Sequence, residues 1–329
     1  MQSLKTLKPD IWPAERFVIT ISLVAMAINI FQIFRNDVLI DWPGYAFITS
    51  VAAATFAVGQ FYRMSGRSQR IGAAMTGTGI LIFFTMALSI FNYLLMPTTR
   101  PPIDELIVEI DALFGYHWPD VIHFAAENPV LNTIIKFAYL STMPQLAILV
   151  IILGLSGCVR VLHVLLVGIT ITATLAVIFW GLYPTHGAKS LFTLPAEIER
   201  AADPVVTTAY GQDLLRLARE GPGYITPDDI KGLIAFPSYH AVLSFLALYA
   251  AWSIRWLFPI YLVVNILIIP GTVMHGGHHL MDAPGGLVLF LIGIFLTERV
   301  VGYHYQSNKH PTFLTSEDDG VPAQTVSGS

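Results

Sequence analysis

Three side chains in two short islands have the types and spacing to do phosphoryl chemistry. The first island is Phe236-Pro237-Ser238-Tyr239-His240. The second is His275-Gly276-Gly277-His278-His279-Leu280-Met281-Asp282. His278 and Asp282 are four apart, a spacing that shares one face if the segment is helical. A carboxylate beside a neutral imidazole holds its tautomer and stabilises the positive charge that appears when the ring reacts. A histidine so oriented can attack phosphorus and carry a covalent phosphoryl group. His240 follows Pro237 and Ser238, which read as a helix start. A helix N-terminus favours a bound anion, and His240 there is placed to protonate a leaving oxygen.

These residues are far apart in sequence, so helices must bring them together. Residues 241–274 carry a single charged side chain, Arg255. That is room for one apolar helix out and one back, which returns the second island to the membrane face of the first.

At these positions the chain resembles a known family. Pro-Ser-x-His followed by His-x-x-x-Asp is the signature of the type 2 phosphatidic acid phosphatase superfamily. Phe-Pro-Ser-aromatic-His with Gly-Gly-His-His-x-x-Asp looks most like its inositol phosphorylceramide synthase-like branch. The resemblance covers roughly 95–290. It takes in Asp104 and Asp111, the run Gly115-Tyr116-His117-Trp118-Pro119, and Tyr139 with Met143-Pro144-Gln145. It implies that His278 is the nucleophile, Asp282 its orienting partner and His240 the general acid. It implies no metal and no other cofactor. Two features depart from the superfamily pattern. Thr272 stands where an Arg often precedes the nucleophile by six residues, and no Lys-x6-Arg-Pro motif occurs. The phosphate-binding cations are therefore unassigned. Lys189 follows the fifth apolar run, where that motif is expected, and reads either as a phosphate clamp or as a solvated loop cation. Ser238, Tyr239, Gly277 and His279 adjoin the catalytic trio and join Lys189 as expected substrate-binding residues. Asp104 and Asp111 are seven apart on one helical face. They could orient a polyol headgroup or a basic residue, or form the wet face of an interfacial helix.

Composition sets the class. Of 329 residues 54% are hydrophobic and 12% charged, against about 25% charged in a soluble domain. This is a polytopic membrane protein. The net charge of −4 and the lack of a basic run speak against nucleic acid. One cysteine, Cys158, permits no intrachain disulfide. The first apolar run, from Phe17, lacks a small-residue cleavage site and reads as a retained anchor.

Eight runs are long enough to span, at 17–34, 44–63, 71–96, 131–155, 159–183, 238–257, 258–276 and 281–303. The expectation is an all-α bundle. Residues 1–70 form an N-terminal transmembrane hairpin and 71–304 a six-helix catalytic core. Connections at 97–130 and 184–235 cover the site, and a polar tail follows from 305 to 329. The first connection is amphipathic at helical spacing and reads as an interfacial helix or pair. The fourth run is interrupted by Lys136, Pro144 and Gln145; Lys136 can snorkel, and Gln145 needs a partner on another helix. Lys5, Lys8, Arg16, Arg63, Arg67 and Arg70 mark the cytoplasmic side. Both islands then face the periplasm of a bacterial inner membrane, or a lumen. The expected partner is a membrane lipid phosphoester. Water as acceptor makes the enzyme a lipid phosphatase, and an alcohol makes it a headgroup transferase. Two other classes are carried. His275-x-x-His278-His279 matches one box of membrane di-iron oxidoreductases, though no second box is present, and a transporter or scaffold would use the islands only to bind.

Overall fold

The computed structural model describes residues 11–307, with side chains through 302. Fourteen α-helices follow one another without a strand among the described residues. They are α1 Pro13–Arg35, α2 Trp42–Met64, α3 Gln69–Tyr93, α4 Asp104–Leu113, α5 Trp118–Glu127, α6 Pro129–Leu140, α7 Thr142–Leu155, α8 Val159–Leu182, α9 Ala188–Leu191, α10 Ala196–Ala202, α11 Thr208–Glu220, α12 Tyr239–Ala251, α13 Phe258–Gly276 and α14 Asp282–Ser307. The protein is an all-α polytopic membrane bundle. The tail expected from 305 lies outside the described residues from 308 onward, as do Lys5 and Lys8.

Six helices, α1, α2, α3, α8, α13 and α14, are each long and apolar enough to cross a membrane. The other two expected spans differ from simple rods. The run at 131–155 is two helices, α6 and α7, bent by 47°. Pro144 has no N–H for the carbonyl one turn back, and its ring crowds that carbonyl. The hydroxyls of Ser141 and Thr142 bond the carbonyls of Ala138 (2.6 Å) and Tyr139 (2.7 Å). This is the usual remedy for a broken helix in a membrane. The run at 238–257 is helical only over Tyr239–Ala251, 13 residues, and then turns through 252–257. By contrast α13 passes through Pro270 without interruption.

The bundle core is apolar and centred on α8, whose Leu162, Leu165, Leu166 and Val167 are buried among α3, α7 and α12. Polar groups inside it are paired across helices. Gln145 and Asn265 exchange two side-chain bonds (3.1 and 2.9 Å), so Gln145 has the interhelical partner its burial requires. On the far side of the bundle from the two islands, Glu15 of α1 takes both guanidinium branches of Arg63 at 2.8 and 2.6 Å, and His163 of α8 stands 3.5 Å away.

At the islands' end the two polar connections fold over the bundle. The first is α4 and α5, the second α9 to α11 with a 3-10 turn at Pro227–Asp229. They are sewn to each other and to the helix ends. Ile103 N–H donates to Pro184 O (2.9 Å), Thr98 N–H to Ala218 O (2.8 Å) and Val206 N–H to His275 O (2.9 Å). Lys136 does not merely snorkel; its ammonium pairs with Asp203 of the second connection.

Candidate active site

Both islands sit at helix ends, and the ends meet. Ser238 is the N-cap of α12, with its hydroxyl accepting from Ala241 N–H at 3.5 Å. Its own N–H donates to Asp282 O at 2.9 Å, which ties the first island to the second. The two helices approach closely there: a Cβ on Gly286 would come 2.7 Å from Ser238 O.

α13 ends at Gly277 in the left-handed region (φ 64°), the standard glycine stop for a helix. The chain then turns through 278–281 before α14 begins at Asp282. His278 and Asp282 therefore do not share a helix, which corrects the helical-face expectation. They meet nonetheless: His278 Nδ1 lies 2.8 Å from Asp282 Oδ2, an oxygen that also accepts from His279 N–H at 2.9 Å. The left-handed glycine reverses the backbone, and the turn brings residue 278 back over the first turn of α14. Both side chains are buried. With the Nδ1 proton donated to the carboxylate, Nε2 keeps its lone pair.

The His240 ring stands 6.5 Å from that of His278, centroid to centroid, nearly edge to face at 70°. Its other side stacks on Tyr139 at 4.6 Å. Tyr139 is in place because α6 breaks just after it, and α13 packs against it at Gly271, where a Cβ would come 3.0 Å from Tyr139 Cβ.

Lys189 is buried beside the same turn. Its ammonium donates to Gly276 O at 3.2 Å and lies 5.6 Å from the centre of the Tyr210 ring. Its stem occupies the space over Gly277, where any Cβ would come 2.6 Å from Lys189 Cδ. Burial pushes the ammonium down to about 8, against the pull of Asp282 and Asp104. One carbonyl leaves donor capacity on a three-donor group. Arg216 and Arg219, by comparison, are exposed, and Arg216 is paired with Asp213 at 2.7 Å.

Asp104 and Asp111 lie on the inner face of α4 and are buried. Asp104 accepts the amides of His186 (2.9 Å) and Gly187 (2.8 Å) and the His279 ring Nε2–H (3.1 Å). Asp111 accepts the amides of Leu280 (2.8 Å) and Met281 (3.1 Å). Burial opposes the Asp104 charge, but His279 and the two amides hold its carboxyl below the usual range. For Asp111 burial prevails and raises it. The remaining expected residues are spent on the fold or the turn. Tyr239 turns away to Ile169 O of α8 at 3.1 Å. His275 bonds Asn132 O at 3.2 Å. Thr272, where an Arg was expected, supplies its carbonyl to His278 N–H at 3.3 Å. The three histidines of the second island thus point to three separate partners: Asn132, Asp282 and Asp104.

Sequence reasoning passed over His186 and Tyr210 and gave Tyr139 no role. The polar run Thr185 to Lys189, directly after an apolar helix, was the available signal for the first; Tyr210 is brought in by α11 from a stretch with none. Two cavities adjoin the bundle. One of about 280 Å³ lies behind the turn, lined by Asp111, Tyr116, Trp118 and His279 among others. The other, about 600 Å³, is an apolar cleft among α8, α12, α13 and α14, with no histidine in its lining.

No curated protein and no solved structure is similar enough to match. Residues 105–296, more than half of the chain, match the PAP2 superfamily. That stretch holds His240, His278, Asp282 and Lys189, and it begins one residue after Asp104. The chain belongs to the PAP2 superfamily.

Proposed function

We propose that this chain, a member of a phosphatase and phosphotransferase superfamily, transfers a phosphoryl-containing group from a membrane lipid phosphoester through a phosphohistidine on His278. One observation carries the reading: His278, held by Asp282 at 2.8 Å, faces the ring of His240 across 6.5 Å between centroids. In the first step His278 Nε2 attacks phosphorus. The P–O ester bond breaks, and its electron pair leaves on an oxygen that takes the proton of protonated His240. In the second step a water or alcohol oxygen attacks phosphorus and gives its proton to His240. The P–N bond breaks and its pair returns to Nε2. Asp282 holds the tautomer and offsets the charge on the imidazole. Lys189, with the amides at the start of α12, faces the phosphoryl oxygens.

The surroundings support a lipid as substrate. The 13-residue α12 rises about 20 Å, less than the hydrocarbon core of about 30 Å. Its far end carries exposed Trp252, followed by exposed Trp256, as an interfacial belt would. His240 then lies below the opposite surface, under the two polar connections, at a depth a lipid headgroup reaches from the bilayer. We assign residues 1–70 to an N-terminal hairpin and 71–304 to the catalytic core. By the charge rule the site faces the periplasm of a bacterial inner membrane, or a lumen. Water as acceptor gives a phosphatase; a polyol or ceramide alcohol gives a headgroup transferase of the inositol phosphorylceramide synthase type.

The test is purified protein given a panel of lipid phosphomonoesters and phosphodiesters, with and without alcohol acceptors, reading free phosphate and new lipid. Turnover that vanishes in His278→Gln supports the proposal. Full activity in that variant, or no turnover of any phosphoester, would overturn it.

A further inference from the structure

α4 is amphipathic in an unusual sense. Its outer face carries exposed Leu106, Ile110 and Leu113, while its inner face carries two buried carboxylates, Asp104 and Asp111. Burying carboxylates costs free energy unless donors meet them. Here each of the four oxygens already accepts from within the protein. Asp104 Oδ1 takes the amides of Gly187 and His186 and Oδ2 that of His186, and Asp111 Oδ1 and Oδ2 take those of Met281 and Leu280. Both are buried, at 1% and 2% exposure, and Asp111 borders the cavity of about 280 Å³ behind the turn. One carboxylate thus holds the loop that leads into Lys189, and the other holds the turn that carries His278. The link between them is His279. Its Nε2 is 3.1 Å from Asp104 and its Nδ1 3.8 Å from Asp111, while its backbone N–H donates to Asp282 at 2.9 Å.

We propose that His279 is a positioning residue: with Asp104 and Asp111 it forms a buried bridge that sets the Lys189 loop against the turn bearing His278 and Asp282. The bridge rests on the roles of His278 and Lys189 given above. Burial works against a charged His279, but its bond to Asp104 and the charges of Asp282, Asp104 and Asp111 raise it; Nε2 is hydrogen-bonded to Asp104, and Nδ1 stands at ion-pair distance from Asp111. A ring between two carboxylates, bonded to one at 3.1 Å and 3.8 Å from the other, has two distances to satisfy at once. A shift of one loop is therefore felt at the other. The substrate meets this bridge only through the geometry it enforces, and misplacing reacting groups by about 1 Å can cost about 10²-fold in rate.

Two measurements on the full chain in detergent micelles test it. The first is hydrogen exchange over 184–190 and 277–284. Asp111→Asn touches only the turn and His279 directly, yet it should speed exchange in both segments while α8 is unchanged. Acceleration confined to 277–284 would mean no bridge. The second is turnover of a lipid phosphomonoester by His279→Asn, His279→Gln and Asp111→Asn. We expect kcat to fall roughly 10- to 10²-fold with KM within about twofold of wild type. A raised KM with kcat intact would make His279 a substrate contact and overturn the proposal. If the His279 variants do not fold, Asp111→Asn decides both measurements. His278→Gln run alongside separates the two readings. Its full turnover would remove the nucleophile role, while the exchange result would still judge the bridge.

Discussion

Nδ1 of His278 and Oδ2 of Asp282 lie 2.8 Å apart although a chain reversal, not a helix, separates them. The contact depends on a left-handed glycine at 277, and the same carboxylate oxygen also caps the His279 amide. Asp282→Asn should therefore do two kinds of damage. It removes the charge that stabilises a reacting imidazole, and an amide can present its NH₂ to Nδ1 and select the wrong tautomer. A loss of about 10³-fold or more in kcat is expected, with the fold kept. Phosphate release and circular dichroism on the same preparation check this.

Gly277→Ala is a separate test of the turn. A Cβ there would meet the Lys189 stem at 2.6 Å, and φ of 64° is strained for any L-residue. The variant should lose activity by displacing both Lys189 and His278. Replacing Gly302, whose Cβ would meet nothing within 4 Å among the described residues, should have little effect.

Lys189 makes the pH dependence specific. Its ammonium is pushed down to about 8 by burial. Below that pH it is charged and, in the role proposed for it, binds the phosphoryl oxygens; above it, the charge and that binding would be lost. KM should rise on the alkaline side of about pH 8. Lys189→Arg, which stays charged, should move that limb upward, and Lys189→Gln should raise KM at every pH and flatten the limb. An unchanged alkaline limb in Lys189→Gln would assign it to another group.

His240 can be separated from the nucleophile by the leaving group. A lipid alkoxide departs poorly without a proton, whereas a nitrophenolate needs little help. His240→Gln should lose about 10²- to 10⁴-fold more activity on a lipid phosphoester than on a nitrophenyl phosphate. His278→Gln should lose both alike. Equal losses from His240→Gln, with dephosphorylation shown to be fast, would make it a binding residue.

Orientation is tested at two exposed positions. Ser65 follows α2, and Glu197 lies in α10 over the site. Cysteine at each, on a Cys158→Ser background, should react oppositely with an impermeant thiol reagent in intact cells, position 197 labelling and 65 not. The reverse pattern would put the site on the cytoplasmic face.

Glu15 should matter for stability and not for chemistry. It is buried with both guanidinium branches of Arg63 against it, at the end of the bundle away from His240 and His278. Breaking a buried pair by removing one partner costs about 3–5 kcal/mol. Glu15→Ala should lower the unfolding temperature, with KM of the folded protein unchanged.

The candidate side chains for the site, the class of fold and the meeting of the two islands were legible in the sequence alone. These follow from local chemistry and periodicity: an apolar run of about 20 residues spans, a Ser before a helix caps it, and two spans return the chain to its starting side. What decided the site's working geometry was tertiary. The expected helical face for His278 and Asp282 is a turn, because one left-handed glycine outweighs a spacing rule. α12 stops at Ala251, shorter than its apolar run. Tyr139 reaches His240 because α6 breaks ahead of Pro144, and Lys189 becomes a buried ammonium because Gly277 leaves room for its stem. Asp104 and Asp111 showed a helical spacing from which inward and outward faces could not be told. Their partners lie far along the chain, at 186–187 and 279–281. Contacts between residues so distant in sequence are set by how helices pack, and no local pattern carries that information.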